Sequence, residues 1–190
     1  MKVLGINGSA RLGGNTAVML NTALEALADE GVETELLELG PKALQGCIAC
    51  YKCFENKDGR CAVDDALNGH IEKMRAADGI LLGSPTYFAD VTSNMKALMD
   101  RAGMVARANG DMFRRKAGAA VVTARRGGAI HTFDTLNHFF FIGQMIVPGS
   151  CYWNMGYGRE PGQVRGDGEG LDTMRVLGRN MAWLLKKIAD

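Results

Sequence analysis

Net charge is what this chain most conspicuously lacks: 22 lysines and arginines face 21 aspartates and glutamates, leaving +1. A dedicated polyanion binder needs a concentrated basic surface to neutralise phosphates, so nucleic-acid binding is not expected. The local run Arg114, Arg115 and Lys116 reads as solvation of a helix end. No apolar run is long enough to cross a bilayer, and the opening MKVLGING enters folded-looking sequence without a basic-then-apolar leader. A cytoplasmic protein away from membranes, with reduced thiols, is the expectation, and it disfavours a structural disulfide. Internal repeats and linkers that would separate two domains are missing as well. Residues 1–190 therefore read as a single domain, with 47% hydrophobic and 23% charged residues, both ordinary for a globular protein. Metal-binding histidines are missing too: His70, His131 and His138 fall on predicted helices with no carboxylate or cysteine at metal spacing.

What is present is alternation. KVLGIN (2–7) predicts a buried parallel strand, and Asn15–Glu30 a helix whose Ala17, Leu20, Leu24 and Leu27 recur at helical spacing before Gly31. VETELLEL (32–39) is a second strand, and residues 64–77 a helix with acidic residues in its first turn. GILLGSP (79–85) is a third strand stopped by Pro85, followed by a helix over 94–106. AGAAVVT (117–123) is a fourth strand and 129–142 a helix, in which Phe139, Phe140 and Phe141 read as core or else as a subunit contact. MIVPGSCY (145–152) is the fifth strand or its end, with Cys151 as a buried apolar residue. A glycine-rich loop over 154–170 precedes a last helix from Leu171 to about Ile188. Five strands interleaved with helices imply an α/β fold: an open parallel sheet covered on both faces. Such sheets bind ligands at the carboxyl ends of their strands.

Three loops fall at those ends. NGSARLGGNT (7–16) lacks the lysine of a Walker loop and the glycine spacing of the dinucleotide fingerprint. It does hold the hydroxyls of Ser9 and Thr16, the amide of Asn15, the cation of Arg11 and a helix N-terminus. These suit a terminal phosphate such as that of FMN, or else they simply cap the helix. After strand three, Pro85 stiffens a turn carrying Thr86, Tyr87 and Phe88, which either edge a flat ring or are ordinary loop aromatics. After strand four, Gly127 and Gly128 permit close backbone approach, while Arg125 and Arg126 face either solvent or a phosphate.

NGSARLGGNT, GSPTYFADVTSNMKALMDR, TARRGG and GLDTMRVLGRNMAWL together resemble the NADPH-dependent FMN reductase family of flavodoxin-like proteins, in motif order over nearly the whole chain. The resemblance implies a flavodoxin-like sheet of strand order 2-1-3-4-5 with helices on both faces, and FMN as cofactor. It assigns the phosphate to Ser9, Arg11, Asn15 and Thr16. The ring falls to Pro85, Thr86, Tyr87, Phe88 and Ser93, with Arg125, Gly127 and Gly128 opposite. It also implies a homodimer or homotetramer in which one subunit helps cover another's flavin; Trp153 and Tyr157, close to the glycine-rich loop, are the residues placed to reach a neighbour's flavin.

Cys47, Cys50 and Cys53 stand two residues apart, and Cys61 follows after seven more, within a cysteine-rich insertion at 46–63. The compact triple suits an iron–sulfur cluster; an unmetallated surface loop is the second reading, and zinc, which four thiolates also satisfy, the third. The segment resembles the iron-sulfur flavoprotein branch of the same family, which carries a compact four-cysteine motif and a 4Fe–4S cluster in this place; the first three cysteines match that motif specifically, and the longer gap before Cys61 fits it more loosely. A flavin brings its own redox chemistry. The expected activity is therefore an FMN-containing oxidoreductase taking electrons from NAD(P)H, with ping-pong kinetics, or from a reduced ferredoxin-like protein, and passing them to a small-molecule or protein acceptor. A flavodoxin-type carrier without its own substrate and a non-catalytic nucleotide- or zinc-binding module are the alternatives.

Overall fold

In the computed structural model, which describes residues 1–188, the strands are β1 (Lys2–Asn7), β2 (Glu33–Glu38), β3 (Gly79–Pro85), β4 (Ala117–Ala124) and β5 (Met155–Tyr157). The helices are α1 (Asn15–Asp29), α2 (Lys52–Asn56), α3 (Leu67–Ala76), α4 (Ser93–Ala108), α5 (Ala129–Ile142) and α6 (Gly168–Ile188), with a 3₁₀ turn at Gln163–Gly166. The last two residues of the expected 1–190 domain lie outside the described ones. All strand pairs are parallel, in the order β2-β1-β3-β4-β5.

The central strands β1, β3 and β4 are buried along nearly their whole length because both faces are covered, whereas the edge strand β2 (ETELLE) stays partly exposed. Leu4 and Ile6 of β1, Ile80 and Leu82 of β3, and Ala120 and Val122 of β4 join the side chains of α3, α4 and α5 in one core. Val3, Leu81, Ala119 and Val121 point the other way, into a second core with α1 and α6. On that face α6 touches α1 through Gly178. A Cβ there would stand 2.5 Å from the Ala23 carbonyl oxygen and 2.7 Å from Ala26 Cβ. Neither neighbour can swing aside, so Gly178→Val forces the helices apart. The expected cost is about 2–3 kcal/mol, which lowers the melting temperature by roughly 4–12 °C at this size; a thermal melt checks it.

The structure moves the fifth strand. Within 145–152 only Ile146 pairs with the sheet, as an isolated bridge to Ala117. Pro148 then offers no backbone donor, and the chain leaves the edge. Pairing resumes at Met155–Tyr157, against Val122–Ala124, inside the stretch expected to be loop. Cys151 is accordingly exposed, not buried. The predicted helix over 64–77 starts only at Leu67, because Asp65 turns its carboxylate to a buried arginine, Arg101, on α4. Phe139 and Phe140 are core, as the sequence suggests, whereas Phe141 is exposed.

Candidate functional site

The loop after β1 is held open by its own hydrogen bonds. Asn7 Oδ1 accepts from the Ser9 N–H at 3.0 Å, and Asn7 Nδ2 donates to Glu38 Oε1 at 2.9 Å. The same Glu38 oxygen accepts from the Gly13 N–H at 2.9 Å. The loop is also tied sideways: Gly8 N–H donates to the Gly83 carbonyl at 2.7 Å, and the Thr92 hydroxyl donates to the Gly8 carbonyl at 2.7 Å. Thr92 is at once the N-cap of α4, accepting from Met95 N–H.

The N-cap of α1 is Gly14, and no side chain bonds there. The capping alternative for Ser9, Asn15 and Thr16 is therefore not what the chain adopts. The first amides of α1 stay free of side-chain acceptors, which is what an anion at a helix N-terminus uses. Ser9 Oγ accepts from the Arg11 N–H at 3.1 Å and still has its own hydrogen to donate.

Ser9, Arg11, Asn15 and Thr16 line one cleft with Pro85, Thr86 and Tyr87, and with Thr123, Ala124 and Arg125. Three loops far apart in sequence thus meet at the strand tips. Thr16 and Thr123 hydroxyls bond at 2.8 Å beneath it, and Thr86 N–H donates to the Thr123 carbonyl at 2.8 Å. Asn15 has a different task from the expected one. Its Nδ2 donates to the Gly158 and Glu160 carbonyls, both at 3.0 Å, and its Oδ1 accepts from Val164 N–H. Asn15 thereby folds the segment after β5 over the first loop, where Arg11 Nη1 also donates to the Arg159 carbonyl. Gly158 and Arg159 complete the cleft wall; a local reading of the glycine-rich stretch carries no sign of this return.

Phe88 and Ser93 do not line that cleft. Tyr87 and Asp90 exchange backbone hydrogen bonds, with Phe88 (φ 49) and Ala89 (φ 62) both left-handed between them. Phe88 stands fully exposed at the tip of this turn, an uncommon conformation for a bulky residue and one found at ligand clamps. Ser93 is exposed on the first turn of α4. Gly127 and Gly128 line an adjoining cleft with Tyr152, Trp153 and Tyr157.

The four predicted thiol ligands come together. Cys47, Cys50, Cys53 and Cys61 line one hollow with Ile48, Tyr51, Ala62, Arg101, Met104 and Val105. Left-handed residues at Ala49 (φ 52) and Tyr51 (φ 56) curl the chain between the first thiols, and α2 then carries Cys53. Burial pushes the Cys53 thiol above its ordinary value. All the cysteines are free. Among the described residues no three His, Cys, Asp or Glu side chains converge tightly enough to hold one metal ion. A zinc ion would need every sulfur about 2.3 Å from one point, whereas a cubane cluster takes one thiolate per iron at separate corners. The donor set, all soft sulfur with no carboxylate or imidazole in the lining, fits such a cluster. The hollow flanks α4 about nine residues along from Thr92, roughly 14 Å at the rise of an α-helix. Among the described residues, no helix is long and apolar enough to cross a membrane.

Residues 1–160 match the profile of the NADPH-dependent FMN reductase family. The chain belongs to that family. An iron-sulfur flavoprotein of Methanocaldococcus jannaschii is 42% identical over 195 residues, which cover 99% of each chain. Among solved structures, a flavodoxin from the domain Archaea superposes with a TM-score of 0.64 at 17% identity, over 98% of this chain and 99% of that one. A flavone reductase does so with a TM-score of 0.73 at 19% identity; it covers 100% of this chain, which spans only 64% of that enzyme. The sheet order and these superpositions make the fold flavodoxin-like. In this member of the FMN reductase family, the segment after β3 lines the strand-tip cleft with Pro85, Thr86 and Tyr87, and α4, which follows it, lines the thiol hollow with Arg101, Met104 and Val105.

Proposed function

We propose that the protein is an FMN-containing oxidoreductase with a 4Fe–4S centre, moving electrons from a reduced donor to an acceptor. The observation that carries the flavin is the uncapped start of α1, opening into the same cleft as Pro85–Tyr87 and Thr123–Arg125. The first amides of α1, the Ser9 hydroxyl and Arg11 take the phosphate. Thr86, Tyr87 and the backbone around Gly127 and Gly128 take the ring, with Asn15 and Thr16 bracing the walls. When bound, FMN supplies both one-electron and two-electron transfer. The protein's own task is to orient the ring and keep one side open to a partner. NAD(P)H and a reduced ferredoxin-like protein are the two donor classes this reading admits. The cysteine hollow supports the second, since it offers a separate entry for single electrons. The iron-sulfur flavoprotein relative, similar along its whole length, supports the same assignment.

A homo-oligomer belongs to this reading as well. A hollow of ≈ 790 Å³ between α4 and α5 is rimmed by the exposed Phe141 and Ile142 and reaches Cys47, a surface that a second copy of the chain would cover.

The test is an absorption spectrum of protein purified without oxygen, with flavin, iron and zinc assayed on the same sample, followed by NADH and NADPH oxidation. Stoichiometric FMN with iron is the expected result. Failure to take up FMN on reconstitution overturns the flavin reading, and zinc in place of iron overturns the cluster.

A further inference from the structure

Arg101, on α4, is the largest of the fully buried side chains. A guanidinium has five N–H donors, and all of them are engaged. Nη1 donates to Asp65 Oδ2 at 2.7 Å and to the Gln45 carbonyl at 3.1 Å. Nη2 donates to Asp65 Oδ1 at 2.9 Å and to the Val63 carbonyl at 2.8 Å. Nε donates to Cys61 Sγ at 3.3 Å. The backbone partners come from both ends of the cysteine segment, so one side chain pins its entry and its exit to α4. Asn68 completes the exit, accepting from Cys61 N–H at 2.8 Å and donating to the Cys61 carbonyl at 3.0 Å.

A buried cation is expensive unless it is paired and fully hydrogen-bonded. Asp65 meets that need with a bidentate contact on the two terminal nitrogens. The remaining donor, Nε–H, is left for a sulfur. A purely structural strut would be as well served there by a carbonyl oxygen, a stronger acceptor than a neutral thiol. A thiolate bound to iron is the acceptor that repays the placement.

Building on the cluster reading above, we propose that Arg101 is a positioning residue for the iron–sulfur centre. It fixes Cys61 as the fourth ligand across the seven-residue gap, and its N–H···S bond makes the centre easier to reduce. When the donor gives up one electron and the centre gains it, negative charge on the ligand sulfurs rises, and hydrogen bonds and net charge around them set the potential. An N–H donor on the cationic side of an Arg–Asp pair stabilises the reduced state more than the oxidised one. Asp65 opposes this from the far side of the guanidinium.

The two partners should therefore move the cluster potential in opposite directions. The experiment uses anaerobically prepared holoprotein, with iron and FMN assayed and both potentials measured by titration with spectroscopic detection. Arg101→Lys, which keeps a cation but loses the fork, is expected to lower the cluster potential by about 59 mV, tenfold in a one-electron equilibrium. Asp65→Asn, which leaves Arg101 in place without its counter-charge, is expected to raise it. The FMN potential, as the internal reference, stays put in both. If Arg101→Lys fails to retain iron, the sign of the Asp65→Asn shift decides alone. Unmoved potentials, or a downward shift in Asp65→Asn, overturn the proposal while leaving the cluster intact. Absence of iron from the unsubstituted protein instead overturns the reading on which it rests.

Discussion

Gly128→Val is expected to weaken FMN binding roughly 30-fold or more. Gly128 sits at φ 83, in the left-handed region. A β-branched residue there pays about 1–2 kcal/mol in backbone strain. The new Cβ would also stand 3.1 Å from both Ala89 Cα and Ala89 Cβ, and 3.2 Å from Thr86 Cγ2. Thr86 lines the cleft and Ala89 belongs to the tight turn that follows it, and a backbone atom cannot rotate out of the way. The β4–α5 loop must move, and binding must then pull it back. A total near 2 kcal/mol corresponds to about a 30-fold loss at 1.4 kcal/mol per decade. Quenching of flavin fluorescence gives Kd for the variant and the unsubstituted protein, and a melt of the flavin-free proteins shows that Gly128→Val still folds. An unchanged Kd for Gly128→Val would mean that the ring does not rest on the contact between these two loops.

Serine at Cys50 or Cys53 should abolish iron binding while FMN content is kept. A cubane holds about four irons on four thiolates, and serine replaces a soft sulfur by an oxygen that ionises far less readily. Cys53 adds a second reason. Its thiol is pushed up by burial, so an empty hollow keeps it protonated, and metal binding would supply the charge that lets it ionise. Cys151 is the control: it lies beside Thr173, at 3.7 Å, outside the hollow. Iron per chain in Cys151→Ser should match the unsubstituted protein. Iron retained in Cys53→Ser, or FMN lost together with iron, would contradict two separately built sites.

Much of this was legible in the residues. The helix over 129–142 matches α5 at both ends, because Gly128 and Gly143 bound an apolar face with helical period. The loops after β1, β3 and β4 could be named as neighbours before any coordinates, since parallel sheets place such loops on one edge. The four cysteines were legible as a group through spacing alone. The fifth strand was not. Residues 145–152 look more like a strand than Met155–Tyr157 does, and Pro148 counted for less than their apolar character. Asn15 was read as a ligand because amides suit phosphates, whereas its side chain serves backbone groups 143 or more residues away.

Sequence by itself determined the alternating architecture, the loops at the strand tips and the thiol set, because periodicity, turn residues and spacing act over a few neighbours. Tertiary structure alone decided which segment closes the sheet edge, how Gly158 and Arg159 come to wall the cleft, and that Arg101 addresses Cys61. Those outcomes rest on hydrogen bonds between residues dozens of positions apart, and each is chosen by burial: a polar group taken out of water must find a partner wherever the chain brings one.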